Sequence, residues 1–555
     1  MIAARDPSPQ PNLDGPVAGF SPGFWVLTVA IGVGVGLAGG GLMLLLQAVE
    51  RLAWGPGGGR DLLAAVQHTG PGRRVLCLTV AGAWVGLGGL TLRRVFGSKG
   101  GEVDSAIWFR SGRVAAIPTV ARSVLSIVAV GLGMSLGREA PVKSAGGAVA
   151  SWLAGWADVP PAHRRLLVAS GVGAGMAAAY NVPLGGAMFA LEVLLGTLSL
   201  RLVLPAVAMS VAAVATSWLF LPTGPVYTFY GPRLTPAITV WSLVAGPAFG
   251  VIAVGLVRLV AWAGSVRLRG ATAVLVPIVV LTLLGVAAIG LPQLLGNGLE
   301  SVQLALDGKL GLGLLLALPL LKGVATAACM GAGARGGLFT PTLMIGATVG
   351  GLLGHAWAVV WPGGVDPGLA ALIGGAAVLS AATRGPVSSV VMILELTRHG
   401  DATMVPILLA VTGATLTAGR LEQRSLYSYR AGRPSPTVAL PTWPGVEWTP
   451  NPAVVSAAAG YPAVVRLLLA TTAPVYVVDD DGRLAGTIGP TDVDTSGPFP
   501  INGTTAGDLA RPVDPLATDA DAAVAVQRLS VDRCAPVVTA DDGRFVGVAR
   551  SSGRP

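Results

Sequence analysis

A succession of apolar segments, many of them cut short by Gly or Pro, runs from Phe24 to Gly419 and leaves this chain few folds to adopt. Inside a bilayer no water satisfies backbone N–H and C=O groups, so such segments must close their own hydrogen bonds as helix. Phe24 to Val49 and Val75 to Phe96 are long enough to cross, at roughly 20 residues per crossing. Further apolar segments lie near 118–136, 142–157, 165–180, 183–200 and 202–221. After a polar loop at 222–236 they resume near 238–263, 271–291, 311–330, 340–361, 368–382, 386–397 and 403–419. Several are too short to span, as in transporters whose helices stop midway at a site. Only 12% of the 555 residues are charged, and the mean hydropathy is +0.69. Soluble domains carry about a quarter charged residues, so the fold class expected is an all-α polytopic membrane protein.

The two halves of this region repeat one another. A shift of 200 residues places Gly137, Pro141, Gly146 and Leu153 on Gly337, Pro341, Gly346 and Leu353. A shift of 203 places Gly171, Pro183 and Glu192 on Gly374, Pro386 and Glu395. Matched Gly residues weigh little in Gly-rich helices, but two prolines followed nine residues later by Glu, in both halves, point to duplication. Repeated breaks at corresponding positions are the best sequence pointer to a midplane site.

The stretch from Gly137 to Leu153, GREAPVKSAGGAVASWL, holds the most chemistry. Proline is tolerated in a first helical turn, so a helix is expected to begin between Arg138 and Pro141. Its unsatisfied N–H groups and positive dipole end make an anion site beside the ionisable Glu139. An acid placed there competes with the anion for the same donors. Carboxylates at membrane depth are costly and usually functional, although pairing with Arg138 or Lys143 is the structural alternative.

The net charge of +9 resides largely in short pairs such as Arg73–Arg74, Arg93–Arg94 and Arg164–Arg165, as at membrane interfaces. With the first span leaving the cytoplasm, Arg93–Arg94 fall inside and Arg73–Arg74 outside, a split vote. No basic stripe interleaved with aromatics suggests nucleic acid. The scattered Cys77, Cys329 and Cys534 form neither a metal site nor a disulfide framework. With four His and no nucleophile–base pair, no enzyme is expected. Residues 1–22 read as a cytoplasmic tail without a cleaved signal, and 434–452 as a Pro-rich linker. Beyond 453 the character is soluble: 473–488 reads strand, Asp-Gly turn, strand, and 535–548 repeats it. An amphipathic helix precedes each copy, at 460–470 and 519–530.

GREAP at 137–141, YNVPLGGAMFALE at 180–192, GGLFTP at 336–341, RGPVSSVVMILEL at 384–396 and SLY at 425–427 resemble the chloride channel and chloride/proton antiporter (CLC) family. The soluble repeat is similar to the paired CBS domains of many members. The resemblance implies a duplicated, inverted transmembrane domain over 23–433, with halves near 24–221 and 238–420, and cytoplasmic CBS domains over 453–555. It implies a homodimer in the cell membrane, with a chloride pathway in each subunit. By the same resemblance Glu139 is the external gate and proton acceptor. The anion ligands would be Ser98, the backbone amides of Leu338 and Phe339, and the Tyr427 hydroxyl, with Arg138 beside them.

The chain also departs from the family pattern. Gly97-Ser-Lys-Gly-Gly-Glu102 stands for Gly-Ser-Gly-Ile-Pro-Glu, so Lys99 either draws anions to the pathway or snorkels to the cytoplasmic side. The inner proton-relay acid aligns with Val193, and the neighbouring Glu192 reads as structural, like Glu395. Chloride/proton exchange is the expected activity, with a passive chloride channel as the alternative. A fluoride exporter, or a nucleotide sensor with a silent membrane part, ranks lower. Gly486-Thr-Ile-Gly-Pro-Thr-Asp492 partly fits a ribose-binding signature, so an adenine nucleotide near Asp492 stands against a module that binds none.

Overall fold

The computed structural model describes residues 20–59, 61–97, 103–109, 112–157, 159–229, 235–266, 268–398, 403–422 and 424–427. Towards the C-terminus it describes 443, 446–448, 453–457, 459, 464, 468, 474–479, 483–489, 505–517, 519–532, 534–538 and 545–551. The chain divides into two compact units, one made of Ser21–Ile107 with Gly112–Gly432, the other mainly of Arg433–Pro555.

The first unit is helical. Its first half holds α1 (Pro22–Trp54), α2 (Leu62–His68), α3 (Pro71–Phe96), α4 (Val103–Phe109), α5 (Ala116–Gly131), α6 (Glu139–Trp156), α7 (Pro161–Tyr180), α8 (Pro183–Phe189) and α9 (Leu200–Ser217). The second holds α10 (Pro236–Ser265), α11 (Thr272–Gly290), α12 (Leu299–Leu306), α13 (Leu312–Gly331), α14 (Phe339–Val360), α15 (Pro367–Thr383), α16 (Pro386–Thr397) and α17 (Met404–Leu421). Eight of these helices are long and apolar enough to cross a membrane. The short α2, α4 and α12 were not expected, because seven or eight residues between spans carry no readable period. The apolar segment at 183–200 is also not one helix: α8 passes into a π-helical turn at Ala190–Leu195 and ends at Gly196.

Packing repeats the duplication seen in the sequence. Helix α6 packs on α7, α5 on α6 and α1 on α9, just as α14 packs on α15, α13 on α14 and α10 on α17. The matched pairs α3–α11 and α8–α16 pack across the two halves. A Cβ on Gly146 would collide with the Gly171 carbonyl, and one on Gly346 with that of Gly374, so each close helix crossing needs its glycine. Helices α7 and α15 end at equivalent left-handed residues, Asn181 (φ 58°) and Arg384 (φ 59°).

Reciprocal bonds join the halves. The Ser126 hydroxyl donates to the Arg335 carbonyl, and the Thr326 hydroxyl donates to the Ser135 carbonyl, at 3.2 Å. Glu192 accepts the Val387 and Ser388 N–H groups that start α16, at 3.0 and 2.6 Å. Glu395 accepts those of Leu184 and Gly185 in α8, at 3.0 and 2.7 Å. Each carboxylate thus closes the N-terminus of the other half's broken helix, where the dipole favours negative charge.

The second unit contains two small sheets. Strands β2 (Val454–Ser456), β3 (Val475–Val478) and β4 (Leu484–Ile488) lie side by side, β2 parallel and β4 antiparallel to β3. The other sheet has the order β1 (Val446–Trp448), β7 (Phe545–Ser551), β6 (Cys534–Val538), β5 (Leu516–Ala517), with β5 parallel and β7 antiparallel to β6. Both copies therefore share one pattern, and α19 (Ala522–Asp532) enters β6 as expected for the second. A short α18 (Ala506–Leu509) precedes β5. The two Asp-Gly turns, and most of the helix expected at 460–470, lie outside the described residues.

Candidate functional site

The two shifted motifs meet where the sequence places its helix breaks. Helix α6 begins at Glu139 with Arg138 as its N-cap, and α14 begins at Phe339 with Leu338 as its N-cap. Just before them, Gly137 and Gly337 form an antiparallel bridge, each N–H donating to the other's carbonyl at 2.8 Å. The two helix N-termini are thereby pinned together at the junction of the halves.

The Glu139 side chain is fully buried at this junction. Its Oε1 accepts the Phe339 N–H at 2.5 Å, and its Oε2 accepts the Tyr180 hydroxyl at 3.1 Å. Tyr180 in turn shares a 2.8 Å hydrogen bond with the Thr340 hydroxyl, and its ring lies 5.7 Å from that of Phe339. A methyl group on either Gly137 or Gly337 would overlap the carboxylate, so both glycines are needed to seat it. One N–H at the positive end of α14 is therefore held by a side chain of α6. A hydrogen bond to a charged group nets about 1.5–3 kcal/mol, small enough to be exchanged for a bond to a free anion.

Two cavities reach this cluster. One is lined by Glu139, Leu338, Lys143, Arg335 and Tyr427, with Asp104 and Arg122 among the other charged groups. The second is lined by Arg138, Tyr180, Asn181, Glu50 and Glu300 among others. Glu139 lines the first and Tyr180 the second, so the Tyr180–Glu139 hydrogen bond joins a lining residue of each.

Glu139, Leu338 and Tyr427 line one cavity, and the Phe339 N–H donates to Glu139. Arg138 points elsewhere: its guanidinium lies 4.9 Å from the Tyr180 ring centre and lines the second cavity. Val193 packs against Gly385 in the loop before α16, and Glu192 is committed to that helix. Ser98, Lys99 and Asp492 lie outside the described residues. Sequence reasoning missed Tyr180, although it lies in the quoted YNVP motif, and gave Lys143 no part beyond a counter-charge to Glu139. Lys143 is one helical turn after Glu139, a spacing that already puts both on one face of α6.

A duplicated helical bundle whose paired broken helices converge on one buried carboxylate defines a class of membrane transport protein. The family model described as voltage gated chloride channel matches residues 81–419. A ClcB-like protein of Ralstonia nicotianae is 31% identical over 403 residues, covering 70% of this chain and 92% of that protein. The H(+)/Cl(-) exchange transporter ClcA of Cronobacter sakazakii is 31% identical over 309 residues, covering 54% of this chain and 66% of the transporter. Among solved structures, a slow cyanobacterial Cl-/H+ antiporter superposes with a TM-score of 0.65 at 20% identity, covering 74% of this chain and 97% of the other. A eukaryotic CLC transporter superposes at 0.59 and 18% identity, covering 95% of this chain and 96% of the other. The chain belongs to the voltage-gated chloride channel (CLC) family and has its helical membrane fold.

Proposed function

We infer that the protein exchanges chloride for protons across the cell membrane, with Glu139 as both gate and proton acceptor. The observation that carries this reading is the Glu139 carboxylate on the Phe339 N–H, at the end of a cavity that also reaches Leu338 and Tyr427. While ionised and seated, the carboxylate holds the donor a chloride ion would use. Protonation weakens its hold on that N–H, the side chain leaves, and chloride takes the helix terminus. One residue then binds the two substrates in alternation, which is the minimum an exchanger needs. The exchange activity of ClcA relatives favours this over a passive channel.

On this reading Leu338 and Phe339 present backbone donors to the central ion, and Tyr427 and Ser98 present hydroxyls. Arg138 draws anions towards the second cavity, and Lys99 adds a positive charge to the pathway. Two subunits form a homodimer, each with its own pathway. The two small sheets belong to a cytoplasmic CBS pair that serves packing; the other reading is an adenine nucleotide near Asp492.

Chloride efflux from liposomes, measured across a range of pH, tests the gate. Wild-type flux is expected to vary with pH, whereas Glu139→Ala and Glu139→Gln should conduct chloride with neither pH dependence nor proton coupling. Retention of wild-type pH dependence in the Ala variant would remove Glu139 from this role.

A further inference from the structure

The second cavity, about 270 Å³, has room for several waters and is lined by Tyr180, which donates to Glu139. Two carboxylates line it as well: Glu50, near the end of α1, and Glu300, in the first turn of α12. A carboxylate inside a span is costly and usually functional. Glu300 has a structural duty, since its Oε1 accepts the Leu62 N–H that opens α2, at 3.2 Å. The charged neighbours of Glu50 are Arg138 at the start of α6 and Glu300. Around Glu300 stand Asp61, Arg138 and Lys322. Among these groups three carboxylates face two cations, which leaves one negative charge for a proton to neutralise. Arg138 and Tyr227 are the other ionisable neighbours of Tyr180, and Lys143 that of Glu139. The Tyr180 hydroxyl carries a single proton, so while it donates to Glu139 it accepts from Thr340.

We propose that Glu50 and Tyr180 form a proton relay between the second cavity and Glu139, Glu50 collecting protons and Tyr180 passing them on. This rests on the exchange reading and deepens it, by giving protons a defined route to the gate. In each transfer the Tyr180 O–H bond breaks as its proton goes to Glu139 Oε2. A water of the cavity re-forms that bond, and Glu50 returns a proton to the water. The reverse order empties Glu139. The tyrosine, only 3% exposed, keeps bulk water from the carboxylate, so its hydroxyl is the path on this side. With a proton on Glu50 the cavity no longer repels the anion that Arg138 draws towards it.

The test is paired recording of chloride and proton movement in liposomes under a chloride gradient. The proteins are wild type, Tyr180→Phe, Glu50→Gln and Glu50→Asp. Tyr180→Phe keeps the ring and removes the relay oxygen; protons moved per chloride should fall roughly tenfold or more, as for a lost proton-transfer group. Glu50→Gln should lower the same ratio, and Glu50→Asp, which keeps a titratable group, should hold it near the wild-type value. Glu50 is not a hydrogen-bond partner of Glu139, so a fall there does not come from a disturbed seat. Side chains that merely pack or hold Glu139 would change chloride and proton movement together and leave the ratio as it was. An unchanged ratio in Tyr180→Phe or in Glu50→Gln, or an equal loss in Glu50→Asp, would overturn the proposal. Wild-type liposomes that move chloride without protons would instead overturn the exchange reading on which it stands.

Discussion

Glu139 takes its two hydrogen bonds from opposite halves of the duplication, Tyr180 from the first and Phe339 from the second. Its position therefore depends on how the halves meet, and on the absence of any side chain at Gly337. Gly337→Ala should push the carboxylate off its seat while leaving the donors of α14 in place. Chloride flux from liposomes should then persist with a flattened pH dependence, close to that of Glu139→Ala. A wild-type pH profile in Gly337→Ala would mean that the carboxylate does not gate from this position. At Tyr427, removal of the hydroxyl in Tyr427→Phe should weaken chloride binding by about 1.5–3 kcal/mol at most, because other ligands remain. Unchanged calorimetric affinity would take that hydroxyl out of the site. Glu139 and Phe339 were legible because each opens a helix at a motif whose spacing repeats. Tyr180 was not, because a tyrosine at a helix end is ordinarily an interfacial anchor and only the fold brings its hydroxyl to Glu139. The split vote of Arg73–Arg74 also has a local cause. Arg73 bonds the Leu52 and Ala53 carbonyls at the end of α1, and Arg74 those of Ala288 and Ile289 at the end of α11. These cations close helix C-termini, so they carry little information about which side of the membrane they face.

Among the elements, the broken helices were the most readable and the short connecting ones the least. Proline at the first turns of α8 and α16 and the matched Glu192 and Glu395 mark those helices in sequence. What the sequence leaves open is that each Glu serves the helix of the other half. Removing one should therefore loosen the join between the halves rather than a single helix. Glu395→Ala leaves two N–H groups of α8 without their charged acceptor and should cost about 1–3 kcal/mol. Thermal unfolding in detergent should show the loss, with chloride affinity nearly unchanged; an unaltered midpoint would mean that water replaces the carboxylate at no cost. The segment after α17 has a pH signature of its own. Hydrogen bonds from Arg424 first, then Arg258, hold the Glu422 carboxyl down at about 2. A depressed carboxyl stabilises the fold above its unfolded value, near 4.5, and that contribution is lost only as pH falls towards 2. Glu422→Gln should therefore lower stability equally at pH 5 and pH 8, and the difference from wild type should shrink below pH 4. Changes in transport between pH 5 and 8 consequently cannot originate at the anchor of the segment that carries Tyr427.

At the scale of the whole molecule, duplication does the organising. The main pairings of one half, α6–α7, α7–α9, α1–α9 and α5–α6, recur in the other as α14–α15, α15–α17, α10–α17 and α13–α14, and the buried Glu139 lies where the halves exchange hydrogen bonds. Periodicity and hydropathy revealed the spans, because helices in lipid must be long and apolar. They could not reveal which short segments pair across the molecule, because such contacts join residues some 200 positions apart. The soluble repeat was legible as strand pairs, and the parallel strands that complete each sheet, β2 and β5, were too short to read. The proposed exchange requires coupling, with one carboxylate serving chloride and protons in turn and no acid at Val193. Purified protein in liposomes, given a chloride gradient and no pH gradient, should drive slow uphill proton movement that reverses when the chloride gradient is reversed. Robust chloride flux with no proton movement at any imposed voltage would contradict the account and make the protein a passive chloride channel.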